Sequence, residues 1–131
     1  MAPRAPSRYD HVMSLPTQVS MIMLGVEDVA RSAAFYRDLL GWKVEGESAE
    51  FAFVAAGAVT IGLNRPLGRH VQPRAGATEL ILPVASVSAA RTDLARRGCH
   101  FLNEAREVVS GSWAVSFADP DGHRLTLFGP Q

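Results

Sequence analysis

At 131 residues, with 47% apolar and 20% charged side chains, the chain has the size and make-up of one globular domain, able to bury roughly 65–70% of its unfolded surface. Thirteen basic residues balance thirteen acidic ones, so no basic field draws nucleic acid or an anionic membrane. One cysteine, Cys99, excludes an internal disulfide framework and fits a reducing cytoplasm, and no apolar run approaches the roughly 20 residues of a membrane helix.

Residues 1–17 carry Arg4, Arg8, Pro3, Pro6 and Pro16 without a continuous apolar core. They read as an arm, loose or ordered on a neighbour, and not as a secretion signal. Gln18 to Leu24 reads as a strand. Asp28 is placed to cap a helix whose apolar spacing runs through Val29, Ala33, Phe35, Leu39 and Leu40, with Gly41 as its left-handed stop. Trp42–Val44, Phe51–Val54 and Ala58–Leu63 read as three strands, with Gly57 in the last turn. Pro66, Gly68, Pro73 and Gly76 mark residues 65–77 as a linker.

The pattern then restarts. Glu79 to Val84 reads as a strand, and Ser86 or Ser88 caps a helix through Leu94. Arg96 and Arg97 suit that helix's negative end, and Gly98 stops it. His100–Leu102, Trp113–Phe117 and Arg124–Phe128 supply three further strands, the last two joined by the turn Asp119-Pro120-Asp121-Gly122. The offset between the copies is about 58 residues at the helices and about 64 at the last strands. The chain is thus one domain over residues 18–130, with modules 18–64 and 78–130. Its fold class is α+β: two βαβββ modules forming a cupped mixed sheet around a central cavity.

The stretch from Val26-Glu27-Asp28 through Phe35-Tyr36-Arg37-Asp38-Leu39-Leu40-Gly41-Trp42, together with the closing Phe117-Ala118-Asp119-Pro120-Asp121-Gly122, resembles the vicinal oxygen chelate superfamily. That superfamily includes glyoxalase I, extradiol dioxygenases and the bleomycin resistance proteins. The resemblance covers about residues 18–130. It implies a cupped cavity lined by alternate strand residues and, as in bleomycin-resistance-type members, a homodimer whose cavities draw on both chains.

Alternation along the strands sorts the faces. Ile22 and Leu24, Val59, Ile61 and Leu63, Leu80, Leu82 and Val84, and Leu125 and Leu127 form the rows beneath the helices. The cup then receives Met21, Met23, Thr60, Gly62, Asn64, Glu79, Ile81, Pro83, Arg124, Thr126 and Phe128, with Phe53 and Trp113 on bordering strands. Metal-dependent relatives place one ligand on each of four such strands. The matching positions here are Met21, Gly62, Glu79 and Thr126, and only Glu79 has strong ligand chemistry, whereas a catalytic zinc needs about three protein ligands. The expectation is therefore no metal and no cofactor.

Glu79 is the one acid placed inside, as a ligand-orienting acceptor or a general base, or solvated at the rim. Arg124 is its expected counter-charge from the opposite module, or simply exposed. Met21 and Met23 suit an adaptable apolar wall as well as a core, and Phe53, Trp113 and Phe128 would stack a planar ligand. The four histidines, His11, His70, His100 and His123, read as surface residues, Tyr36 as structural and Cys99 as a buried small hydrophobe. These readings converge on a cytoplasmic protein that sequesters a partly apolar planar small molecule. The alternative is an enzyme of the same superfamily: a metal-free isomerase, lyase or cyclase using Glu79, or, less favoured by the ligand positions, a metal-dependent lyase or dioxygenase.

Overall fold

Two hydrogen-bonded sheets, each of four strands, organise the chain. The computed structural model describes residues 2–5, 18–72 and 74–131. In the first module β1 (Met21–Gly25) leads to α1 (Val29–Ala34), which continues as a π-helical turn over Phe35–Leu39. Strands β2 (Val44–Glu45), β3 (Phe51–Ala56) and β4 (Val59–Asn64) follow. The second module repeats this with β5 (Glu79–Pro83), α3 (Val87–Arg96), β6 (Arg106–Val109), β7 (Ser112–Ala118) and β8 (Arg124–Gly129). The sheet orders are β1-β4-β3-β2 and β5-β8-β7-β6, each with its first strand parallel to its last and the other pairs antiparallel. The α+β class and the doubled βαβββ unit are as the sequence indicates. The sheets stay separate and open. Most of the arm expected over residues 1–17 lies outside the described residues.

The helix signals act as their chemistry requires. Asp28 accepts the Arg31 N–H and Ser86 accepts the Ala89 N–H, each as an N-cap. Gly41 stops the first helix at φ +73°, and the Trp42 N–H closes on the Tyr36 carbonyl at 3.0 Å. Arg97 bonds Asp93 on its own helix and the Leu39 carbonyl of the first, placing a cation where unpaired helix carbonyls gather.

Two elements depart from the sequence reading. The linker holds a helix, α2 (Arg65–Val71), capped by Asn64, which accepts the Leu67 N–H at 2.8 Å. Pro66 sits in its first turn, where a missing N–H costs nothing. A side chain on Gly68 would meet the Val26 backbone, so glycine there serves close packing on β1 rather than a break. In the second module His100–Leu102 contributes only one bridge, Phe101 to Phe117. The edge strand is β6, exposed throughout and broken by a bulge between Glu107 and Val109. A wholly exposed edge leaves no apolar alternation to read.

One core joins both modules. Leu24, Ala52, Val54, Ile61 and Leu63 from the first sheet and Val115, Phe117, Leu125 and Leu127 from the second are buried in a single cluster with Val29, Ala33 and Tyr36. Phe35 packs edge-on to Tyr36 and 6.3 Å from Phe117, carrying the aromatic contacts across the module boundary. The helix-bearing faces of both sheets therefore turn toward common packing.

The Asp119–Gly122 turn clasps this arrangement. The Tyr36 hydroxyl donates to Asp119 Oδ2 at 2.8 Å, and Asp119 Oδ1 accepts the N–H groups of Asp121 and His123. Asp121 accepts the Glu27 N–H and the Ser32 hydroxyl. His123 is only 4% exposed, which corrects its reading as a surface histidine. Its Nε2 donates to the Gly25 carbonyl at 2.8 Å, and in the neutral ring Nδ1 accepts from the Thr78 hydroxyl at 2.7 Å. His70 and His100 are exposed as expected, and His11 lies outside the described residues. Cys99 is half-buried rather than fully buried, and burial raises its thiol pKa.

Burial also pushes the Asp119 carboxyl up, against the pull of His123 and its hydrogen bonds, and it pushes the Tyr36 phenol up strongly. A carboxyl raised in the folded state takes its proton there before the unfolded chain does. Its contribution to stability is thus complete below the ordinary aspartate range and lost as pH rises through the folded value. Tyr36→Phe removes a buried donor to this carboxylate and is expected to cost about 1–3 kcal/mol at neutral pH. The deficit should narrow in acid, where a protonated Asp119 no longer needs the phenol. Urea unfolding at both pH values checks this; an unchanged midpoint at neutral pH would contradict it.

Candidate functional site

The rows expected to line one cup lie on two separate faces. On the first sheet Met21, Met23, Phe53, Thr60, Gly62 and Asn64 point away from the shared core, as the registers Met21↔Thr60, Met23↔Gly62 and Phe53↔Gly62 require. Met21 and Met23 are 41% and 40% exposed. Met23 lies over Gly62, where an added Cβ would collide with its sulfur, and Asn64 Nδ2 contacts the same sulfur at 3.8 Å. On the second sheet Glu79, Ile81, Arg124, Thr126 and Phe128 gather at one hollow of about 210 Å³, with Asn103, Arg106, Val108, Ala114 and Ser116. Within the chain, no residue of the first sheet enters that hollow.

Trp113 is corrected outright. It shares the row of Val115 and Phe117 and packs against the core, on the face opposite the hollow. Arg124 is corrected in origin: it faces Glu79 from the neighbouring strand of the same module, by the register Glu79↔Arg124.

The hollow exists because its floor is small. Ala114, Ser116 and Thr126 sit between the larger Phe128, Ile81 and Arg124. A polar chain crosses that floor. Thr126 Oγ1 donates to Glu79 Oε2 at 2.8 Å, so the Ser116 hydroxyl, 2.8 Å from Thr126, is the donor in the next link. Ser116's backbone N–H donates to Asn103 Oδ1 at 3.0 Å. Arg124 Nε lies 3.1 Å from Glu79 Oε2, an ion-pair distance, but its N–H is not aimed to make a hydrogen bond. Glu79 Oε1 has no partner among the described residues. Sequence reasoning missed Asn103, Arg106 and Ser116. Two of these sit in or before the unread β6, and Ser116 shows its role only once β7 and β8 are in register.

A broader groove of about 750 Å³ runs between the modules, walled by Ile22, Trp42, Ile61, Leu80 and Leu82, with Glu79 the only ionisable group among the described residues that line it. It offers aliphatic surface without convergent polar groups, so the hollow on the second sheet is the stronger candidate.

The family model described as the glyoxalase/bleomycin resistance protein/dioxygenase superfamily matches residues 8–127. The chain belongs to that superfamily. Solved structures of similar fold include a glyoxalase/bleomycin resistance protein/dioxygenase from Nocardioides, at 19% identity and TM-score 0.77 over 91% of this chain and 87% of that one. A glyoxalase-related enzyme from Fulvimarina pelagi shares 26% identity at TM-score 0.72, over 86% and 87% of the two chains. Lactoylglutathione lyase from Agrobacterium tumefaciens shares 19% at TM-score 0.71, over 88% and 95%. No curated protein matches the sequence. Among the described residues no helix is long and apolar enough to cross a membrane.

The four positions that the sequence resemblance matches to the superfamily's metal ligands are Met21 and Gly62 on one sheet and Glu79 and Thr126 on the other. A thioether, an absent side chain, one carboxylate and a hydroxyl already bonded to that carboxylate do not fit a hard or borderline divalent ion. Thr126→Val keeps the floor's volume but severs the Ser116–Thr126–Glu79 chain. We expect it to lower stability by about 0.5–1.5 kcal/mol, measured by thermal unfolding; an unchanged midpoint would show that the chain does not hold Glu79 in place.

Proposed function

We propose that the protein is a small-molecule binding member of its superfamily, without the usual metal, that holds a partly apolar planar ligand over the hollow of its second sheet. The observation that carries this reading is the convergence of Glu79, Arg124 and Thr126 with Ile81 and Phe128 around a floor of small residues. A few placed polar groups among apolar walls is the composition of a ligand site.

The reading includes a homodimer. The outward row of the first sheet carries exposed Met21 and Met23, and that of the second carries Ile81, 52% exposed. A hollow of about 210 Å³ is small for a ligand until another surface closes it. The first sheet of a second copy supplies that surface in soft, adaptable methionines. Localisation in the cytoplasm is proposed with it, from the single cysteine.

A second reading rests on Glu79 Oε1, which is free to take a proton, and on the resemblance to a glyoxalase-related enzyme. In it, a metal-free isomerisation, lyase or cyclisation step uses Glu79 as base. Glu79→Gln separates the two: a binding protein loses affinity, whereas an enzyme keeps binding and loses turnover.

Two measurements test the main reading. Protein incubated with nickel, zinc, manganese or iron and then desalted is expected to hold far less than one metal per chain; stoichiometric metal would sink the metal-free assignment. Sedimentation equilibrium should give the mass of two chains. Met23→Lys and Ile81→Lys, each burying a further positive charge against Arg106 and Arg124, should each weaken association by more than about 100-fold. A monomeric parent protein would contradict the shared cup.

A further inference from the structure

We infer that the ligand held at the second sheet is an oxyanion, a carboxylate or phosphate on an apolar body, and that Arg106 and Arg124 grip it. The inference rests on the binding reading above and names the class of its ligand. Two guanidinium groups and one carboxylate line the hollow, leaving an excess of positive charge. The Arg106 guanidinium has no hydrogen bond or ion pair among the described residues. Arg124 meets Glu79 only through Nε, so both its terminal nitrogens are unengaged. Asn103 spends its carbonyl oxygen on Ser116, which leaves its amide donors for the hollow.

The acceptors are scarce by comparison. Glu79 Oε2 is taken by Thr126 and Arg124, leaving Oε1 alone. Glu107, next to Arg106, is turned to the Gly111 N–H. The site is thus rich in unspent donors and short of acceptors, as recognition of an oxyanion requires, and a planar guanidinium fork matches carboxylate or phosphate oxygens in pairs. Ile81, Val108 and Phe128 flank these groups with apolar surface, which suits a ligand whose body is hydrophobic. Glu79 then holds Arg124 in place rather than meeting the ligand's charge.

The test uses the full-length wild-type protein and three matched probes: 2-naphthoate, 2-naphthyl phosphate and the neutral 2-naphthamide. Titration calorimetry is expected to show at least one of the two anions binding about tenfold or more tighter than the amide, with affinity falling as salt rises. Arg106→Gln, an exposed substitution, should shrink that preference to about twofold or threefold without changing the unfolding midpoint, and Arg124→Gln should remove it. Equal binding of anions and amide, or an unchanged preference in Arg106→Gln, would overturn the oxyanion assignment while leaving the ligand site standing. Binding by none of the three would overturn the assignment, and only a failure of neutral planar compounds as well would take the binding reading with it.

Discussion

The clasp built on Asp119, Asp121 and His123 is the constraint from which the rest of the molecule follows. From this one turn, bonds cross to Tyr36, Glu27, Ser32 and Gly25 of the first module. Each is modest as a net gain, but each protects a buried polar group that would cost about 1–3 kcal/mol if left alone. Because the partners lie on β1, the first helix and the residues between them, the clasp fixes the second sheet against the helix of the first. Both helix-bearing faces then share one core. The opposite faces, which carry the candidate ligand residues, have no choice but to point outward.

That geometry gives the two outward faces different characters. The first is soft and apolar, with Met23 folded over a glycine and Met21 beside it. The second is a polar chain set in apolar flanks, where Thr126 joins Ser116 to Glu79 and Arg124 lies alongside. Neither face alone encloses a ligand. A mainly apolar wall, with Thr60 and Asn64 beside its methionines, and a floor without a cover suit one another in chemistry, and this ties the proposed dimer to the proposed binding activity.

Much of the fold was legible because backbone chemistry is local. Asp28 and Gly41 marked their helix ends correctly, Ser86 proved to be the cap of the two serines offered, and the alternation of Ile61, Leu63, Leu125 and Leu127 sorted strand faces correctly. The failures share a cause: the deciding contact is distant in sequence. His123 looked like a turn residue on the surface, yet its ring bonds a carbonyl 98 residues away. Gly68 and Pro66 looked like breakers, although one is needed for close packing on Val26 and the other is harmless in a first turn. Arg106 was invisible because exposed β6 carries no hydrophobic period. Glu79 and Arg124 were foreseen as partners but assigned to opposite modules, although both lie within residues 78–130, and the parallel pairing of β5 with β8 sets them side by side.

In the proposed dimer the outward face of the first sheet in one chain covers that of the second sheet in another. The most direct measurement mixes a Met23→Cys chain with an Ile81→Cys chain, both in a Cys99→Ser background, and adds a short bismaleimide. We expect a two-chain product on a denaturing gel that forms strongly in the mixture and weakly with either chain alone. Contradiction would be a mixture that yields no more two-chain product than the separate chains, because Met23 of one copy would then not lie across from Ile81 of the other.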